Sequence, residues 1–341
     1  MNFNRSSYRT KKVGNLTIHY YSISYDGTVL LFIIDGIAIQ GDAGAKIHML
    51  KKKIILITHT DRDHVDTILN SIGSDNKRKK TNAQEHEEEG GGEEEEIKKK
   101  IVFIPKGKKK LLIQLMKAYH RFTFPMYLPD EVNDKEHEGE LDLNSPSIAL
   151  EIKEVEHGDL IEHVVQKKRS TVTLLFSVYK AFHGTDKNCV SYGVSKIVMT
   201  KKKEFRRRIG KEEMKELQAK GIVIEERIEK PLFLFCGDTS IRFIDEYPEL
   251  LRFDKWVIEC TRIPDLGKRK ALSEEELQNF YHITWEQLKP YVLKYKHITW
   301  ILHHMSTEYF VTWDKSEQKK REKEERIIEY FKEYPNVVLL L

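Results

Sequence analysis

Short apolar runs recur along this chain, and several empty at once into polar segments rich in histidine and acid. Ile54-Ile55-Leu56-Ile57 leads into Thr58-His59-Thr60-Asp61-Arg62-Asp63-His64, and Leu174–Phe182 ends on His183. Leu232–Gly237 ends on Asp238-Thr239, and Ile298–His303 ends on His304-Met305-Ser306. Runs of this size, bounded by turn residues, predict buried strands. Leu16–Ile23 reads as the first strand and Ile101–Ile104 as another. Lys211–Lys220 predicts a short helix, and a second helix runs from Thr284 to Lys296. Asp314–Tyr334 predicts a long charged helix with Ile327, Ile328 and Phe331 on one face. Pro335 ends that helix, and Val337–Leu341 reads as a last buried strand.

The polar exits carry the chemistry. Two imidazoles and two carboxylates fall within the six residues His59–His64. So crowded, they would repel or go unsatisfied unless a divalent cation joined them, and both are ligand types that zinc, manganese and iron accept. The bland alternative is a polar loop whose histidines cap a helix. Strand ends converging on one edge of a sandwich would bring together His59, Asp61, Asp63, His64, His183, Asp238 and His304. That set suffices for two metals sharing one carboxylate, the arrangement that activates water and stabilises attacking and leaving oxygens at phosphorus. His303 should face away from His304, because side chains alternate along a strand. His157 falls in what reads as a hairpin turn.

The order and spacing of these segments resemble the metallo-β-lactamase superfamily and, within it, the tRNase Z family, which trims the 3′ trailer of precursor tRNA. Phe235-Cys236-Gly237-Asp238-Thr239, Ile258-Glu259-Cys260-Thr261, His282-Ile283-Thr284-Trp285-Glu286-Gln287 and His304-Met305-Ser306 with Tyr309 are similar to its later motifs. The resemblance covers about Val13 to Leu341. It implies an α+β fold, the four-layer αβ/βα sandwich of the metallo-β-lactamase type, formed by residues 1–341 as one hydrolase domain. It implies that His59, Asp61 and His183 hold one metal, that Asp63, His64 and His304 hold a second, and that Asp238 bridges them. Asp63 is then the general base, His282 the acid for the leaving ribose oxygen, and Glu259 the carboxylate that orients His282. Zinc is the expected metal, precursor tRNA the expected substrate and a homodimer the common assembly.

Three departures bear on substrate and metal. Asp61 stands where the family usually has histidine, which shifts that site toward manganese or iron. Glu308 replaces an arginine often found there, putting a repelling charge where a phosphate contact is expected. Asp66 and Thr67 replace the usual small residues after His64.

Composition adds boundaries. The chain has 341 residues, 33% of them charged, yet a net charge of only +4, so nucleic-acid affinity must come from local patches. Lys201, Lys202, Lys203, Arg206, Arg207 and Arg208 form such a patch inside a short arm-like segment, 196–230, where the resemblance places an RNA-gripping arm; a basic surface loop is the alternative. Lys106–Lys110 opens a helix predicted over Leu111–His120 and could extend that track. Residues 73–100 are a charged insertion too polar to pack, expected to be disordered. Cys189, Cys236 and Cys260 are odd in number and widely spaced, which argues against a disulfide framework. No apolar run reaches the ~20 residues of a membrane span. Arg5, Arg9, Lys11 and Lys12 in an acid-free start could form an organelle address, but the early strand favours a cytoplasmic protein. The chemistry leaves two alternatives to tRNA trimming: a hydrolase of the same fold acting on another phosphodiester or a small ester, and a catalytically weak RNA-binding scaffold.

Overall fold

The computed structural model describes residues 9–23, 27–44, 54–65, 68, 100–115, 150–167, 170–184, 188–205, 211–263, 273, 276, 281–305 and 317–341. Among these residues fourteen strands form two sheets of seven. The first holds β1 (Arg9–Val13), β2 (Leu16–Ile23), β3 (Gly27–Ile34), β4 (Ile37–Gly41), β5 (Ile54–Leu56), β6 (Lys100–Pro105) and β7 (Leu150–Val155), side by side in chain order. The second holds β8 (Leu160–Gln166), β9 (Thr171–Lys180), β10 (Val190–Lys201), β11 (Glu225–Phe235), β12 (Lys255–Glu259), β13 (Thr299–His303) and β14 (Val337–Leu339), again in order. Both sheets are mixed. In the first, β1 to β4 pair antiparallel and β4 to β7 parallel. In the second, β8 to β11 pair antiparallel and β11 to β14 parallel.

The two-residue side-chain period then sorts the apolar runs into layers. Ile54, Leu56, Ile101 and Phe103 face the second sheet and meet Phe176, Phe233, Phe235, Val257 and Ile301 in the central core. Their neighbours Ile55, Ile57, Val102 and Ile104 face outward onto Val65, Ile68 and Leu112 of the helical segments on that side. On the far side Leu234, Trp256, Ile258, Trp300 and Leu302 pack against Phe243, Trp285, Leu288, Ile327 and Phe331. Helix, sheet, sheet, helix is the α+β sandwich predicted from the sequence.

Some expectations need correction. A strand, β1, precedes Leu16 and pairs antiparallel with β2, although four of its five residues are exposed. The turn at His157 is not a hairpin, because β7 and β8 belong to different sheets and the turn carries the chain from one to the other. The helix after β6 begins at 109, not 111, where Glu154 accepts from the backbone N–H groups of Gly107 and Lys109. In the helix Glu317–Phe331, Ile327 and Phe331 are buried but Ile328 is half exposed, one residue being 100° off the buried stripe. The last strand is an edge strand, with Val337 and Val338 only half-buried. Residues 73–99, Asp66 and Thr67, Arg206–Arg208, Ser306, Glu308 and Tyr309 lie outside the described residues. Among those described, no helix is long and apolar enough to cross a membrane.

Candidate metal centre

Topology delivers the side chains to one edge. In the second sheet β9 is antiparallel to β10 and β10 to β11, so β9, β11, β12 and β13 all run the same way. Their C-terminal ends present His183, Asp238, Glu259 and His304 together. Across the core, β5 ends toward the same place, where the backbone N–H of Val190 donates to the carbonyl of Thr58 and the Tyr192 hydroxyl to that of Ile57 at 2.7 Å. Two glycines permit the approach. A Cβ on Gly44 would lie 1.5 Å from the Asp63 carbonyl oxygen, and one on Gly237, whose φ is +61°, would lie 2.5 Å from Thr58.

Three groups of ligand atoms result, the atoms of each lying within 4.8 Å of one another: His59, His183 and Asp238; Asp63, His64 and His304; and Asp238, Glu259, His282 and His304. Individual separations are 3.4 Å from His64 Nε2 to Asp238 Oδ2 and 3.4 Å from His304 Nδ1 to Asp238 Oδ1. His59 Nε2 stands 4.0 Å from Asp238 and 3.8 Å from Asp61. Most of these are long for hydrogen bonds. They suit ligands around shared ions, since tetrahedral donors ~2.0 Å from a cation stand roughly 3.3 Å apart. Among the described residues the buried His59 Nε2 and Asp238 Oδ1 find no hydrogen-bond partner, a costly state that a cation would relieve. These residues therefore fit a divalent metal.

The imidazoles are oriented by a residue the sequence reading did not single out. Asp42, wholly buried at the end of β4, accepts from His64 Nδ1 at 2.9 Å, from the Thr58 N–H at 2.9 Å and from the Thr58 hydroxyl at 3.0 Å. The Thr58 hydroxyl in turn accepts from His59 Nδ1 at 2.9 Å. One carboxylate thus fixes the tautomer of both histidines and leaves each Nε2 lone pair for a metal. The signal was present: Ile37–Gly41 is another apolar strand emptying into an acid.

Glu259 is fully engaged and does not need a metal. It accepts from the Thr239 N–H at 2.6 Å, the Thr261 hydroxyl at 2.5 Å and His282 Nδ1 at 2.8 Å. His282 is set beside it by a short bridge between Arg262 and Thr284, and by the helix Trp285–Lys294 that starts there in a Thr284–Gln287 capping box. Trp285 anchors that helix against Phe331 and Tyr334.

Asp61 stands apart from the other predicted ligands. Its side chain is 59% exposed, 3.3 Å from His183 Nε2, at the rim of the cluster and in none of the three groups. His303 packs inward, wholly buried, with its ring 6.3 Å from Phe235. Cys189, Cys236 and Cys260 are buried free thiols. Lys201 and Lys202 are half-buried and Lys203 is exposed, and Lys201 Nζ lies 3.4 Å from Met214 Sδ. Lys106 pairs with Glu156 at 2.7 Å.

Burial and mutual charge shape the protonation of the metal-free cluster. Burial beside His64 pushes His59 down to about 3. At His304 burial acts downward, but Asp238 and the hydrogen bond with Asp63 outweigh it and raise the ring to about 10. Burial would raise the Asp63 carboxyl, yet the His304 hydrogen bond and the His64 charge hold it at about 2. At His282 the Glu259 carboxylate overcomes burial and raises the ring to about 9. Cationic imidazoles here stand in for positive charge that a divalent ion would supply, so metal binding releases protons.

No protein-family model and no curated protein sequence matches the chain. Solved structures similar to it include a diphosphatase from the PhnP family, with TM-score 0.47, 11% identity and coverage of 92% of this chain and 81% of that one. The metallo-β-lactamase fold protein YhfI from Bacillus subtilis gives 0.43, 10%, 93% and 92%. Unliganded yeast PDE1 gives 0.41, 11%, 94% and 97%.

Proposed function

We propose that this protein is a divalent-metal-dependent phosphodiesterase, and that its reaction is endonucleolytic removal of the 3′ trailer from precursor tRNA. The observation that carries the reading is the convergence of His59, Asp63, His64, His183, Asp238 and His304 beside a separate, fully hydrogen-bonded Glu259–His282 pair. Divalent ions held there, zinc first and manganese or iron as alternatives, would make water nucleophilic at neutral pH and neutralise charge at phosphorus. The protein supplies the rest. Asp63, whose carboxylate lies 3.3 Å from His304 and 3.7 Å from His64 at the ligand cluster, is placed to take the proton of the attacking water. His282, raised to about 9 by the Glu259 carboxylate, is protonated at neutral pH and would give its proton to the leaving oxygen. Asp238 bridges the two ligand groups, and Asp61 closes the His59–His183 side from the rim. The basic segment 196–230 and a partner subunit are where RNA contacts and dimerisation are expected.

The half-buried state of Lys201 and Lys202 favours a second reading, a hydrolase of smaller phosphodiesters that does not depend on this segment. Incubation of a trailer-bearing precursor tRNA with the protein and zinc or manganese, beside Asp63→Ala, distinguishes them. Cleavage near the acceptor stem that vanishes in the variant supports the tRNA reading. Turnover of small phosphodiesters with the tRNA left intact supports the second, and binding without cleavage under either metal leaves an RNA-binding scaffold.

A further inference from the structure

Beside the metal centre lies a feature that its chemistry does not use. Phe182 immediately precedes His183, and it is clamped to the Asp238 loop from both sides. Its N–H donates to the Thr239 hydroxyl at 3.0 Å, and its carbonyl accepts from the Ser240 N–H at 2.9 Å. Two cations share its ring: the Arg242 guanidinium carbon is 4.5 Å from the ring centroid and Lys180 Nζ is 5.7 Å away. Behind it Tyr247 stacks at 6.3 Å and 25°, and the exposed His157 lies 5.3 Å from Tyr247. His157 follows β7, which runs parallel to β6 and β5, so this turn opens on the same edge of the sandwich as the ligands.

The patch has the composition of a phosphate-and-base contact: planar cation, aromatic faces and a second cation in reach. The bland account is a helix-surface ion pair, since Arg242 stands 3.5 Å from Glu246 in an i,i+4 relation. Such exposed pairs contribute little and do not require an aromatic partner. Stacking pre-orders the guanidinium, and with the side chain 66% exposed an incoming phosphate can compete with Glu246 for its N–H groups. Metal ions held in the centre would neutralise the scissile phosphate, so a flanking phosphate of a longer chain needs a cation of its own at the approach.

We propose that Arg242, stacked on Phe182 with Lys180 beside it, is a positioning contact for a phosphate flanking the scissile one, which makes the substrate a nucleotide chain and not a compact diester. This rests on the phosphodiesterase reading above. Arg242 touches no reacting atom, and its contribution is to binding register.

The test compares two substrates on the manganese-loaded full chain: bis(p-nitrophenyl) phosphate, with one phosphate, and a short single-stranded RNA oligonucleotide. Arg242→Gln should raise KM for the oligonucleotide about tenfold relative to the small diester, the size of one lost charge-assisted contact. Arg242→Lys should recover part of that loss. Lys255→Gln removes an equal charge at the start of β12, the opposite end of that strand from Glu259, where Lys255 pairs with Asp254 at 2.9 Å, and should leave the ratio where it was. An Arg242→Gln effect equal on both substrates, or absent from both, overturns the proposal, as does wild-type activity confined to the small diester. Wild-type inactivity on both, and on the trailer-bearing precursor tRNA as well, refutes the phosphodiesterase reading itself.

Discussion

Replacing Asp42 by Asn tests whether the metal centre is built from its supporting shell inward. The change is nearly isosteric and wholly buried. Asn keeps one oxygen, enough to accept from the Thr58 N–H and hydroxyl. Its amide NH2 then faces His64 Nδ1, where the carboxylate accepted at 2.9 Å. Two donors cannot pair, so either that contact is lost or the imidazole moves its proton to Nε2, the atom turned toward Asp238. A buried donor left unsatisfied costs about 1–3 kcal/mol. At 1.4 kcal/mol per decade this is about 5- to 150-fold in metal affinity, and more if His59 also loses its relay through Thr58. The assay is metal titration against a chromogenic chelator, with circular dichroism to confirm that the sheets persist. Wild-type affinity in Asp42→Asn would refute the idea that one carboxylate sets both tautomers.

Other consequences can be checked alongside. Gly44→Ala places a Cβ where the Asp63 carbonyl sits, so it should lower both Tm and metal affinity, by more than a typical overpacking cost of about 1–3 kcal/mol because the obstacle is backbone. In the metal-free protein His282 should titrate near 9 by NMR, and Glu259→Gln should bring it back toward 6.5. The sign follows: a raised histidine pKa gives stability that is complete below about 6.5 and lost as pH rises through about 9, so the variant should flatten that part of the stability profile. Asp61→Ala should weaken metal binding less than His59→Ala, because Asp61 is 59% exposed at the rim whereas His59 is buried, and equal losses would give Asp61 a full ligand's place. Chelation should abolish hydrolysis and leave the far-ultraviolet spectrum intact, because the three apolar cores do not depend on the ligands.

Much of the architecture was legible because the signals were local. Apolar runs bounded by polar exits marked β5, β9, β11 and β13 and the residues that follow them, since strand burial and strand termination are both written in consecutive residues. The helix read from Thr284 does start there, closed by a Thr284–Gln287 capping box, and it sets His282. Where local signal was weak, the reading slipped. β1 is mostly polar and owes its existence to pairing with β2. Ile328 carries the right chemistry but sits one residue off the buried stripe.

Tertiary structure decided the remainder, because it depends on which strand ends meet. Asp42 is separated from His64 by the stretch that includes β5, and only the parallel pairing of β4 with β5 brings its carboxylate to the imidazole. Asp61 lies between two cluster residues in sequence yet at the rim in space, since the turn into the helix Arg62–Val65 carries its side chain outward. Phe182 and Arg242 are unremarkable until the Asp238 loop clamps one beside the other. By itself the sequence determined the strands that empty into the ligands and which residues could serve as ligands, through patterns of burial and polarity along a few consecutive positions. Which of those groups share a cation, a proton or a ring was fixed by sheet order and strand direction, because these alone set distances between residues far apart in the chain.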